Sequence, residues 1–322
     1  MLYQVKTGLL GLGDLGSNYA KLLKSHIKDL NLIGAVGKTQ KELLFAKNDL
    51  SLEYVYSDDH SLIENHDIDA ICLFGDAQQR PHLAIKAIEA GKHLFIADPV
   101  SLNVEDAQAV HDVAARHPSQ LVMVSSLVRF DSLMKTVKKV LDSGEIGIVN
   151  HISLDSAFFN GLNRRYNKSS GSAFLDSAID EIDFCLWLLG GDKIVEVEVK
   201  KNKNTIICNG STSKESSINI IVQPGLKKEQ SYINIYGNKG QLIVSNTNKR
   251  SFKLYKDNGE KVDIYQDDTF GFQFSEYVQL HNFAQAILGR QKKKMNTADA
   301  VAIVELAVAL EKASVFSKKI VI

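Results

Sequence analysis

Six residues near the N-terminus restrict the fold more than any other stretch. Gly11-Leu12-Gly13-Asp14-Leu15-Gly16 follows a short strand-like run, Tyr3–Leu10, and precedes a helical pattern through Tyr19, Leu22, Leu23 and Ile27. Strand, glycine turn and helix in that order place the Gly-x-Gly-x-x-Gly pattern in the setting where it binds a dinucleotide. The first glycine permits the tight turn, the second lets a pyrophosphate approach the backbone, and the third lets the helix lie against the strand. Free N–H groups at the helix start suit the phosphates. Gly11, Leu12, Gly13, Asp14, Leu15 and Gly16 are therefore the first candidate cofactor contacts. The alternative is a glycine-rich turn without a ligand.

The pattern then repeats. Strand-like runs occur at Leu30–Val36, Asp69–Phe74, His93–Ala97 and Gln120–Ser125. Helical patterns run from Pro81 to a stop at Gly91, and from an Asn103 cap to about Arg116. Strands alternating with helices of this length mean a Rossmann-type, doubly wound parallel sheet, with ligands at the carboxyl ends of the strands. Gly37-Lys38-Thr39, Phe74-Gly75 and Ala97-Asp98 all lie at such ends and join the candidates. An acidic residue after the second strand would hold the ribose of NAD. Here Gly37 leaves room, while Lys38 and Thr39 could hold a 2′-phosphate, so the residues favour NADP(H) over NAD(H). Otherwise Lys38 is an ordinary surface lysine.

In the second half, Asp131 can cap a helix to Ser143, and Gly144-Glu145-Ile146-Gly147 turns into a strand, Ile148–Phe159. The segment Ser126–Asp131 reads as a loop, as does Asn160–Gly171. Ser172–Gly191 then reads as a helix with Phe174, Ala178, Ile179, Ile182 and Cys185 on one face and Asp176, Asp180, Asp183 and Trp187 on the other. The acidic stripe is either wet surface or the wall of a cleft. After Gly191 the period changes to two, with strand-like runs between Ile194 and Tyr265. Asn209-Gly210, Pro224-Gly225, Gly237–Gly240 and Asp257-Asn258-Gly259 read as turns. Helices at about Gln273–Leu288 and Thr297–Ser314 follow. The expected organisation is a Rossmann domain over 1–125 and an α+β domain over 126–322 with a large, mainly antiparallel open sheet. An open sheet face needs cover, which points to a homodimer or homotetramer.

Charge narrows the partners. Lys+Arg and Asp+Glu stand at 38 each in 322 residues, so no basic excess argues for nucleic acid or an anionic membrane surface. Lys292-Lys293-Lys294 reads as a solvated loop. Cys72, Cys185 and Cys208 are scattered without metal-type spacing and read as buried reduced thiols of a cytoplasmic protein. Neither a signal peptide nor a run of about 20 apolar residues is visible.

The layout resembles the glucose–fructose oxidoreductase / inositol dehydrogenase (Gfo/Idh/MocA) family over nearly the whole chain. The resemblance rests on Gly11–Gly16, on His82 through Glu89-Ala90-Gly91-Lys92-His93, on Arg129-Phe130-Asp131, on Gly144–Gly147 and on Gly171–Gly190 as the active-site helix. It implies hydride transfer between a nicotinamide and a polyol or sugar hydroxyl or ketone, with Asp98, Asp176 and Asp180 at the catalytic positions. It places His82 near the nicotinamide and makes Arg129, Asn160 and Tyr166 candidate substrate contacts. The family's Glu-Lys-Pro is here Ala97-Asp98-Pro99, and its helix histidine is Asp180, so the lysine and the imidazole are both carboxylates. Gly75-Asp76 replaces a common Thr-Pro. One aspartate is then the acid/base, with Arg129 supplying the lost cation. The alternative is a dinucleotide- or sugar-binding homologue without catalysis.

Overall fold

The computed structural model describes residues 4–155, 174, 178–202, 205–222, 231–246, 250–265 and 273–322. The chain divides into two compact units: Met1–Ser126 with Glu276–Val304, and Leu127–Ser275 with Glu305–Ile322. Among the described residues no helix is long and apolar enough to cross a membrane.

The first unit is built on a six-stranded parallel sheet in the order β3-β2-β1-β4-β5-β6. Its strands are β1 (Val5–Leu10), β2 (Leu30–Val36), β3 (Tyr54–Tyr56), β4 (Ala70–Leu73), β5 (His93–Ile96) and β6 (Val122–Val124). Ala70–Leu73 is buried at every position, as a strand covered on both faces must be. Helices Asp14–His26, Arg80–Glu89 and Val104–Arg116 supply the crossovers, the last capped by the Asn103 side chain accepting from Asp106 N at 2.8 Å. The expected doubly wound sheet is therefore present.

The segment Glu276–Val304 groups with this first unit, where the sequence assigned all of 126–322 to the second. The reason is specific packing. Phe283 packs against Phe95 with tilted rings 5.6 Å apart, and the buried Gln279 carboxamide accepts from Ser125 Oγ and Ser126 N while donating to Tyr19 Oη. Lys293 is not the solvated residue expected of a basic run. Its Nζ donates to Val122 O at 2.8 Å, and burial holds its ammonium pKa below the usual range.

The second unit carries a nine-stranded sheet in the order β14-β13-β12-β11-β7-β10-β9-β8-β15. The strands are β7 (Val149–Asp155), β8 (Ile194–Lys201), β9 (Ile206–Thr212), β10 (Ser217–Val222), β11 (Ser231–Gly237), β12 (Gly240–Asn246), β13 (Arg250–Lys256), β14 (Lys261–Tyr265) and β15 (Ile320–Val321). Pairing is antiparallel except between β7 and β10. Ile152, Leu154, Ile233, Ile235, Leu242 and Val244 alternate onto the buried face. Asn238-Lys239 forms the expected tight hairpin, whereas Asn209-Gly210 does not turn. β9 runs straight through it, because Asn219 Nδ2 donates across the sheet to Asn209 Oδ1 at 2.9 Å and Gly210 lies close under β8. The chain reverses instead around Glu215, at φ +66°. Pro224-Gly225 lies outside the described residues.

Buried charge organises this unit. Leu127–Phe130, expected as loop, winds into one buried helical turn; backbone groups removed from water must find partners. Asp131 then caps helix Ser132–Asp142 through Met134 N and receives both Arg250 Nη atoms at 3.0 Å. Arg129 donates through Nε at 2.8 Å and Nη2 at 2.6 Å to Asp183 Oδ1, on helix Ile179–Leu189. That helix ends at Gly190, in the left-handed conformation at φ +60°. Two members of its acidic stripe, Asp180 and Asp183, are buried and not wet surface, as is the neighbouring Glu181. The expected start at Ser172 lies outside the described residues.

Removing one partner of a buried ion pair leaves a charge without its counter-ion. Arg129→Met is expected to destabilise the protein by about 3–5 kcal/mol, and adding Asp183→Leu to recover most of the loss. Urea-unfolding midpoints of both variants check this.

Candidate functional site

The carboxyl ends of β1, β2, β4 and β5 bring most of the sequence-derived cofactor candidates to one edge of the first sheet. Gly11 leaves β1 at φ +92°, and a Cβ there would stand 2.6 Å from Gly75 N. A Cβ at Gly16 would stand 1.8 Å from Gly11 O, so only glycine lets helix Asp14–His26 begin against β1. Gly13 differs: a Cβ there would meet nothing within 4 Å. It is the N-cap of the helix, and no side chain caps it. Leu12 is buried beneath the turn and Leu15 is exposed on the helix. Open space over an uncapped helix start fits a pyrophosphate.

At the end of β2 the residues have different work from that expected. Gly37 does not leave room for a ligand, because a Cβ there would meet Leu43 N at 2.8 Å, in the short helix Gln40–Leu44. Thr39 is the N-cap of that helix in a capping box with Glu42. Glu42 Oε2 also accepts from Lys38 N at 2.7 Å, and Lys38 Nζ pairs with Asp59 at 2.6 Å. Asp58 caps the next helix, Asp59–Ile63, and the hydrogen bonds from Ser61 hold its carboxyl below the usual range. Lys38, Asp58, Asp59, His60, Gln79 and His82 line one cavity of about 300 Å³.

At the ends of β4 and β5, Phe74 packs against Tyr19 with tilted rings 4.3 Å apart, and Gly75 lies against Gly11. Ala97 is buried and donates its N–H to Leu73 O at 2.9 Å. Asp98 follows, half-exposed, and the Asp98–Pro99 peptide is cis. The helix that opens at Arg80 sends Arg80, not the exposed His82, toward this edge. Arg80 Nη2 donates to Gly75 O at 2.8 Å and Nη1 to Pro99 O, tying the two loops together. Burial lowers its pKa to about 10, with the charges of Asp98 and Asp76 acting the other way. Sequence reasoning missed Arg80. The available signal was a cation in the first turn of a helix, where the macrodipole disfavours it.

In the second unit, Asp180 is buried on helix Ile179–Leu189, 3% exposed, and the Arg129 guanidinium is taken up by Asp183. Asp176, Asn160 and Tyr166 lie outside the described residues. Cys72, Cys185 and Cys208 are buried free thiols, and burial pushes Cys185 and Cys208 up to about 12.

Residues 5–126 match the model of the oxidoreductase family's NAD-binding Rossmann fold, and residues 138–321 match that of its C-terminal alpha/beta domain. Among similar proteins, myo-inositol 2-dehydrogenase of Thermotoga maritima is 24% identical over 273 residues, 81% of either chain. The scyllo-inositol 2-dehydrogenase (NAD(+)) of Bacillus subtilis is 23% identical, with 96% of this chain and 94% of that one covered. The fold superimposes on the scyllo-inositol dehydrogenase of Lactobacillus casei with bound NAD(H) and scyllo-inositol at a TM-score of 0.83, with 23% identity over 99% of both chains. Both domains of the family are thus matched in order along nearly the whole length, and the protein belongs to the Gfo/Idh/MocA oxidoreductase family.

Proposed function

We propose that this protein is an NAD(H)-dependent dehydrogenase of the inositol type, oxidising a polyol or sugar hydroxyl to the ketone with carboxylates in place of the family's lysine and histidine. The observation that carries the reading is the open, uncapped helix start at Gly13 on the same sheet edge as Asp98. When bound, the nicotinamide supplies the hydride acceptor. The chain's own residues do the rest. Gly11–Gly16 bind the pyrophosphate through backbone N–H groups. Phe74, Gly75 and Ala97 border the nicotinamide half. Asp98 accepts the hydroxyl proton as the substrate carbon loses hydride, the role of a general base. The family resemblance assigns Asp176 and Asp180 to the substrate, with Asn160 and Tyr166 as further candidate contacts. Arg129, engaged by Asp183, acts by holding the helix that carries Asp180 rather than as the replacement cation.

NAD(H) takes the place of the NADP(H) expected from sequence. Lys38 Nζ is drawn to Asp59, and the Thr39 hydroxyl is a helix cap, so both groups expected for a 2′-phosphate are already engaged. Glu42 brings to this turn the carboxylate that the end of β2 lacks. Negative charge there suits ribose hydroxyls and repels a phosphate. The family match is likewise to an NAD-binding fold.

A second reading, cofactor binding without catalysis, is favoured by one observation: Arg129 is committed to Asp183 and does not restore the cation that Asp98 replaced. The exposed Tyr232 and Tyr236 on β11 support association of copies through the outer face of the second sheet. A Tyr232→Glu/Tyr236→Glu variant is then expected to run as a monomer in light scattering, and the unaltered chain as a dimer or tetramer.

Two measurements test the reading itself. NAD+ with scyllo- or myo-inositol should give a rise in NADH absorbance, and Asp98→Asn should slow it by roughly 10²-fold or more. NADH fluorescence enhancement with no turnover of a polyol and sugar panel would favour the binding reading instead. NADH should also bind more tightly than NADPH, and Asp59→Asn, which releases Lys38, should narrow that gap by roughly 2–5-fold.

A further inference from the structure

We propose that Arg80 and Asp98 form a charge pair that sets how strongly this protein prefers reduced over oxidised nicotinamide, with Arg80 as the positioning residue for Asp98. The inference deepens the proposed function and rests on it. Of the two halves of a Rossmann sheet, β4–β6 is the half that takes the nicotinamide nucleotide. Arg80 sits there, 7% exposed, and bridges the loops after β4 and β5 through Gly75 O and Pro99 O. Its Nε is buried and finds no acceptor among the described residues. A guanidinium in this position is costly in three ways: it is desolvated, incompletely hydrogen-bonded and set at the wrong end of a helix. The favourable interactions that oppose the cost are the two carbonyls and the charges of Asp98 and Asp76, with Asp98 the larger. Asp98 is half-exposed beside Pro99, whose carbonyl the same guanidinium holds. Moving Arg80 therefore moves the loop that presents Asp98.

The consequence for a cofactor follows from charge alone. The oxidised nicotinamide ring is a cation and the reduced ring is neutral. Arg80 disfavours the oxidised ring and Asp98 favours it, so the pair balances the two forms where a lysine at position 98 would have added to the positive side. A merely structural Arg80 would affect both forms alike.

The test is the ratio Kd(NAD+)/Kd(NADH), measured by calorimetry on the full-length protein with each cofactor separately. Arg80→Gln leaves the Asp98 charge unbalanced and should lower the ratio about tenfold, whereas Asp98→Asn should raise it by about as much. Arg80→Lys retains the charge and should leave the ratio near that of the unaltered protein. The Arg80→Gln/Asp98→Asn double variant should return toward it. If Arg80→Gln does not fold alone, the double variant decides: a ratio below that of Asp98→Asn supports the pair and a ratio equal to it overturns it. A ratio unchanged in both single variants, with both cofactors still bound, overturns the pair and leaves the proposed function standing. Failure of the unaltered protein to bind either cofactor overturns both.

Discussion

The closure of β1 onto its helix is the constraint on which the first unit depends. A Cβ at Gly16 would lie 1.8 Å from Gly11 O, far inside van der Waals contact, so the helix can start where it does only without a side chain at that position. The same turn presses Gly11 against Gly75, which brings the loop after β4 to the loop after β1. Tyr19, one turn into the helix, then packs against Phe74, and the aromatic contacts continue through Phe95 to Phe283. A single close approach of backbone thus fixes the helix, opens the space over Gly13, and aligns the strand ends.

The second unit depends on charge pairing rather than on a turn. The motif Arg129-Phe130-Asp131 sends its arginine to Asp183 and its aspartate to Arg250, with Phe130 buried between them in sequence. Each pair fastens a different element, helix Ile179–Leu189 in one case and β13 in the other. Desolvating an ion is costly, and attraction at low dielectric offsets the cost only when geometry is good. Two Nη atoms on one carboxylate, and Nε with Nη2 on the other, meet that condition. The Arg129–Asp183 pair explains how the helix Ile179–Leu189 carries Asp183 into a buried position.

Much of the fold was legible in the sequence because the signals are local. Buried parallel strands read as unbroken apolar runs, amphipathic helices as a 3.6-residue period, and the second sheet as a period of two. The misreadings occurred where a local signal has two uses. Asn209-Gly210 is turn chemistry, yet the cross-strand hydrogen bond from Asn219 keeps it in β9. Gly37 looked like room for a ligand, and the room is filled by helix Gln40–Leu44 of the same chain. His82 drew attention as an ionisable residue in a familiar stretch, while Arg80, two positions earlier, is the one that reaches the end of β5.

The sequence by itself determined the order of elements, the glycine cradle, the family and the placing of aspartate at positions 98 and 180. Those are matters of residue type and short-range spacing, and no partner is needed to read them. Only the tertiary structure decided which charge meets which: Arg129 with Asp183 across 54 residues, Asp131 with Arg250 across 119, and Arg80 with the loops at Gly75 and Pro99. Coulomb energy depends on separation in space and on burial. Spacing along the chain specifies neither, so these pairings became legible only once the strands were in register.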